Sequence, residues 1–143
     1  MIIYQIEMMM KGDKKMNKEL AEEQIEAIKN NEWFIFSTAD KNNNPHCIVV
    51  MPSLVENKRI ILSNIQMEKS IQNIKENSKC FIDVYIKEEN DKQIKINGSG
   101  KVVDSGDLYE EIKNYEETNN LPPELKVKSI IVIEIEDVIE TEG

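Results

Sequence analysis

One histidine, His46, one arginine, Arg59, and one tryptophan, Trp33, occur in 143 residues. A single imidazole excludes a histidine-rich metal centre and any mechanism that relays a proton between two histidines. Following Pro45 at a strand start, His46 is expected to make a structural hydrogen bond. No serine sits in a GxSxG turn, so the nucleophile elbow of a hydrolase is absent. Cysteine is scarce too: Cys47 and Cys80 belong to no CxxC pair, lie within apolar runs, and are expected to be free buried thiols. Positive charge is short, with 18 Lys+Arg against 27 Asp+Glu and a net charge of −9. That balance argues against nucleic acid and against an anionic membrane surface, both of which attract a basic face. No apolar run approaches the roughly 20 residues that span a bilayer. At the N-terminus the basic residues follow a short apolar segment and no small-residue cleavage site appears, so a cytoplasmic location is expected. The few glycines form no phosphate loop: "GSGK" at 98–101 fits neither GxxxxGK[ST] nor GxGxxG. Its mid-strand position instead marks a bulge, or a close approach by another backbone or a flat ligand.

What is present reads as one domain, residues 17–143, behind an N-terminal extension, 1–16, that is either an extra strand or disordered. "NKELAEEQIEAIKN" (17–30) has an Asn cap and apolar residues at helical spacing. Strands are expected at 32–40, 46–55 and 59–64, with the turn "KNNNP" between the first two. Trp33, opening the first of them after a helix, is expected in the core. A short helix around 67–77 follows, then a hairpin of 79–87 with 93–105. "DLYEEIKNYEETNN" reads as a helix with a capping box from Asp107 to Glu110 and a buried stripe of Leu108, Ile112 and Tyr115. "LPPE" breaks the chain before a last long strand. Short turns between strands favour an antiparallel sheet, and six alternating strands with few helices suggest a mainly-β (α+β) barrel or half-open barrel.

One stretch carries a chemical signal, "RIILSNIQMEKSIQNIKENSK" (59–79). A helix start presents unpaired N–H groups and the positive end of the helix dipole. Lys69 in that first turn opposes the dipole: either it is a solvated side chain of no consequence, or something negative lies in front of it. Ser70 adds a hydroxyl, and Ser70, Asn73 and Asn77 form a polar stripe opposite the apolar Met67, Ile71 and Ile74. From the residues alone, an anion site and an ordinary solvated lysine both remain open.

The order of elements and four segments together resemble the FMN-binding split barrels related to pyridoxamine 5′-phosphate oxidase, especially the small single-domain members. These segments are "FSTADKNNNPHCIVVMP", "RIILSNIQMEKSIQNIKENSKCFIDV", "IKINGSGKVVDSGDLYEEI" and "SIIVIEIEDVIET", in order across about residues 18–141. The resemblance implies a six-stranded antiparallel split β-barrel with flanking helices that binds FMN. It assigns Lys69 and Ser70 to the flavin phosphate, with Asn73 nearby. Val49, Val50 and Met51 would lie along the isoalloxazine ring, and Ser63, Asn64, Gln66 and Met67 would border the ribityl chain and phosphate. It further implies a homodimer with the flavin at its interface, and a small flavin-dependent oxidoreductase with a small-molecule or protein redox partner. A non-enzymatic FMN carrier or electron-transfer protein is the first alternative, and an F420- or haem-binding member of the same fold the second. Asn43 or Asn44 replaces the family's turn glycine, a tolerable change because Asn visits the left-handed region. Arg59 opens a strand and is expected to be solvated or ion-paired. With no second arginine, pyridoxamine phosphate is not the expected substrate. No side chain stands out as a catalytic acid or base.

Overall fold

A computed structural model describes residues 15–89 and 91–141. Its elements are β1 (Lys15–Asn17), α1 (Glu22–Asn31), β2 (Phe34–Ala39), β3 (Pro45–Val50), β4 (Leu54–Val55), β5 (Arg59–Asn64), α2 (Glu68–Glu76), β6 (Lys79–Ile86), β7 (Lys92–Val103), α3 (Asp107–Asn119) and β8 (Ser129–Thr141). Most of the expected extension, residues 1–14, lies outside the described residues. All pairings are antiparallel, as the short turns require.

The strands form one sheet in the order β3-β2-β6-β7-β8-β5-β4, with β1 also on β8. This order forces the sheet to curl. Its two end strands, β3 and β4, are joined by residues 51–53 alone, so Val50 and Leu54 stand at most about 14 Å apart. Seven flat strands would hold their edges about 29 Å apart at the usual inter-strand spacing. The sheet therefore curls, and because its end strands β3 and β4 are not paired with each other it is an open half-barrel. The sheet has eight strands rather than six. The added two are β1 and β4, the latter because Pro52 interrupts the expected single strand 46–55 and sends its second half to β5.

The core fills the curl. β6 alternates buried and outward residues, with Cys80, Ile82, Val84 and Ile86 inside, and β7 continues the pattern with Ile94 and Ile96. β5, flanked by β4 and β8, is buried along almost its whole length. Each fully buried Ile, Leu or Phe of this cluster contributes roughly 1.5–3 kcal/mol of transfer free energy. α1 adds Ile25 and Ile28 to the main cluster and α2 adds Ile74. α3 makes a second, smaller cluster, where Tyr109 and Ile112 meet Ile61, Val127 and Ile130.

Several local expectations are corrected. α1 begins four residues later than its Asn17 cap implied, because Asn17 pairs with Val138 in β1–β8; the Ala21 N–H instead donates to Gln24 Oε1 at 2.9 Å. No side chain caps α3. Gly106, at φ 98°, precedes it, and Asp107 already belongs to the helix. Tyr109 rather than Tyr115 is buried there, its hydroxyl donating to the Val127 carbonyl at 2.8 Å, while Tyr115 is exposed. Trp33 is half-exposed at the end of α1 instead of in the core. Cys47 is exposed on β3, its Sγ 3.1 Å from Ser37 Oγ; only Cys80 is buried, and burial pushes its thiol up to about 12. The bulge at "GSGK" is present: the β7–β8 register shifts between Asn97 and Gly98.

Candidate cofactor-binding site

The start of α2 is built by the end of β5. Asn64 closes β5 opposite Ser129 of β8, and its Nδ2 donates to Ser129 Oγ at 3.0 Å. Its Oδ1 accepts the Met67 N–H at 2.8 Å, doing for α2 what the apolar Met67 cannot do as an N-cap residue. The first helical bond runs from the Ile71 N–H to the Met67 carbonyl, 2.9 Å, which leaves first-turn N–H groups free for a ligand.

The stripe expected to be polar and outward faces inward. Ser70 and Asn73 are 1% and 0% exposed, so both are as buried as the core isoleucines. Asn73 Nδ2 donates to Thr38 Oγ1 of β2 at 3.0 Å, but among the described residues its Oδ1 and Ser70 Oγ have no hydrogen-bond partner. A buried hydroxyl and amide oxygen left unpaired each cost about 1–3 kcal/mol. Such atoms mark a place that a polar ligand or water completes.

A cleft opens in front of this helix start, in two joined compartments of ≈580 Å³ each that share Ile48, Gln66 and Met67. The first carries Lys69, Ser70, His46, Glu68 and Lys128 on its walls. The second is largely apolar, running along Ile48–Pro52 with Ser53, Ser63 and Ile65, and is closed by Glu116, Asn120 and Leu121 at the end of α3. β3 is an end strand, so on its free side alternate backbone N–H and C=O groups remain outside the ladder. Ser53 Oγ and Ser63 Oγ lie 2.6 Å apart in the same compartment. Burial raises the Glu116 carboxyl above the usual range, against the opposing hydrogen bond from Asn120 Nδ2.

Of the residues singled out in the sequence, Val49, Val50, Met51, Ser63, Gln66, Met67, Lys69 and Ser70 line this cleft. Asn64 and Asn73 are not on its walls and stand behind them as supports. His46 was expected to make a structural hydrogen bond; among the described residues its ring makes none, and it faces the Lys69 compartment. Lys128, Glu116 and Asn120 gave no signal in the sequence, because each reaches the cleft only through the packing of α3 and the β5–β8 pairing. Arg59 is ion-paired to Glu56, away from the cleft. Among the described residues neither Lys69 nor Lys128 is ion-paired; Lys69 only adds a weak attraction to Asp40, whose carboxyl is held low chiefly by hydrogen bonds from Asn44.

An open antiparallel half-barrel with a cleft that is cationic at one end and apolar at the other defines the split-barrel class. Within that class, the chain belongs to the pyridoxamine 5′-phosphate oxidase family, whose model matches residues 20–142. Solved structures agree in fold. An FMN-binding protein from Syntrophomonas wolfei subsp. wolfei is 18% identical, with a TM-score of 0.70 over 83% of this chain and 84% of that one. HupZ from Group A Streptococcus is 19% identical at a TM-score of 0.70, covering 82% of this chain and 90% of its own. HutZ, the haem storage protein of Vibrio cholerae, is 11% identical at a TM-score of 0.65, covering 82% and 92%. No curated protein matches the chain. Among the described residues no helix is long and apolar enough to cross a membrane.

Proposed function

We propose that the chain is an FMN-binding flavoprotein, a small flavin-dependent oxidoreductase that works as a homodimer. The observation that carries this reading is the Ser70 hydroxyl, buried and without a partner among the described residues, in a first-turn residue of α2 that lines the same compartment as Lys69. A phosphate dianion fits there on chemistry alone: it accepts from the hydroxyl and from free helix N–H groups, and it meets an unpaired ammonium. The adjoining apolar compartment suits a flat ring, with the free backbone edge of β3 and the Ser53–Ser63 pair available to its polar rim. When bound, FMN supplies hydride and electron transfer. The protein's own part is to hold the phosphate, to orient the ring along Val49–Met51, and to shield it from water. Val49 and Met51, each 67% exposed beside the cleft, continue a face with Ile35, Trp33 and Tyr85 that a second copy would cover, together with the ring.

Purified protein should show flavin absorption bands, and the stripped protein should bind FMN stoichiometrically. Lys69→Ala should weaken FMN binding by about 1–3 kcal/mol, the scale of a charge-assisted hydrogen bond. Unchanged affinity by titration calorimetry would remove Lys69 from the phosphate site. A haem reading has support from the likeness to HutZ and from His46 in the cleft; a Soret band that Lys69→Ala leaves intact would favour it instead.

A further inference from the structure

Resting on the flavin reading, we propose that Lys128 is a second cation of the phosphate compartment, contributed by the segment that enters β8, and that Asn64 holds this wall and the start of α2 in register. Lys128 lies in the segment that enters β8, far in sequence from Lys69, yet both line the same compartment. Its position is built rather than incidental. The Lys128 N–H donates to the Asn64 carbonyl at 2.9 Å, while the preceding Val127 is buried and tied at both backbone groups, N–H to Glu117 Oε2 (2.9 Å) and carbonyl to the Tyr109 hydroxyl (2.8 Å). Asn64 therefore makes three contacts that matter together. Its Oδ1 fixes the first turn of α2, its Nδ2 fixes Ser129, and its carbonyl fixes Lys128.

The independent sign of a ligand between these walls is Ser70 Oγ, without a partner in a side chain only 1% exposed. The charged and titratable groups on the compartment are Lys69, Lys128, His46 and Glu68. Two ammonium groups outweigh one carboxylate, in a chain whose net charge is −9. A local positive site on an acidic protein selects ligands by charge: a phosphorylated flavin gains from both lysines, and an unphosphorylated flavin gains from neither. Lys128 is thus a specificity-determining residue for FMN over riboflavin.

The test titrates stripped protein with FMN and with riboflavin, following flavin fluorescence, for the wild type, Lys128→Gln and Lys128→Arg. Lys128→Gln should lower FMN affinity about tenfold and leave riboflavin affinity unchanged, as expected for a lost charge-assisted contact. Its dependence on salt should be shallower than that of the wild type, and Lys128→Arg should keep most of the FMN preference. An unchanged ratio of FMN to riboflavin affinity in Lys128→Gln overturns the assignment. So does an equal loss for both ligands, which would report a disturbed fold; the thermal midpoint of the ligand-free variant identifies that case. A wild type that binds FMN normally while Lys128→Gln matches it defeats Lys128 alone. A wild type that binds no flavin defeats the flavin reading as well.

Discussion

Gly98 illustrates how much one missing side chain decides. A Cβ there would sit 2.7 Å from Ile133 Cγ2 and 2.9 Å from the Glu134 carbonyl oxygen. The second contact is with backbone of the paired strand β8, which cannot swing aside. Gly98→Ala should therefore destabilise the protein by about 1–3 kcal/mol, the usual cost of overpacking, measured as a lower urea midpoint. Gly100→Ala should cost less, since the nearest atom, Ile74 Cδ1 at 3.0 Å, ends a side chain that can shift. The sequence already marked these glycines as a bulge or as a close approach by another backbone or a flat ligand. It did not say what approached, because β8 meets β7 only after α3 and its loop have been crossed. At the same scale, Ser70 and Asn73 were legible as polar residues on α2, but their inward orientation was not. Helical spacing allowed them to be an outer stripe, and the curl of the sheet beneath them decided otherwise.

At the level of elements, the β2–β3 hairpin turns on Asp40. Its carboxylate accepts the N–H groups of Asn42 and Asn44 at 2.8 and 2.9 Å and the Asn44 side chain at 3.0 Å, while Asn43 takes the left-handed φ of 64°. These hydrogen bonds, those from Asn44 first, hold the carboxyl below the ordinary aspartate value. A folded pKa below the unfolded one means that the contribution is complete above the ordinary value and is lost as pH falls through the lowered one. The thermal midpoint of the wild type should accordingly drop more steeply than that of Asp40→Asn as the pH falls below the ordinary aspartate value of about 4. Equal slopes would show that the turn does not depend on this charge. The turn itself was readable in "KNNNP", since Asn tolerates the conformation that glycine would otherwise supply. The helix starts were less readable. α1 and α3 have no side-chain hydrogen bond from their N-cap residues, so the polar residues that resembled caps were misplaced.

At the scale of the whole molecule, the curl that brings β3 and β4 together also leaves one face of the β3-β2-β6 portion uncovered among the described residues. Ile35 and Val49 pair across β2–β3 on that face, and Tyr85 of β6 lies exposed beyond them. An apolar surface of this kind beside a ligand cleft is what a two-fold interface uses. Sedimentation velocity should give a dimer for the wild type and a larger monomer fraction for Val49→Asp, which places a charge where both copies would meet. A monomeric wild type at micromolar concentration would refute the interface. Because the proposed ring site and the proposed interface share Val49 and Met51, dissociation should also weaken FMN binding, in contrast to Lys128→Gln, which should leave assembly alone.

The alternation of apolar residues, the turn chemistry and the contiguous strand–helix motif at 59–79 were determined by the sequence itself. They are short-range properties, written in residues that stay neighbours whatever the rest of the chain does. That is why the antiparallel strands, the three helices and the position of Lys69 and Ser70 at a helix start could be read directly. The two added strands β1 and β4, the exposed Cys47 and Trp33, and the arrival of Lys128, His46 and Glu116 at one cleft were decided only by tertiary structure. These depend on which distant strands pair and how far the sheet must bend to close a three-residue gap, and no local spacing encodes that.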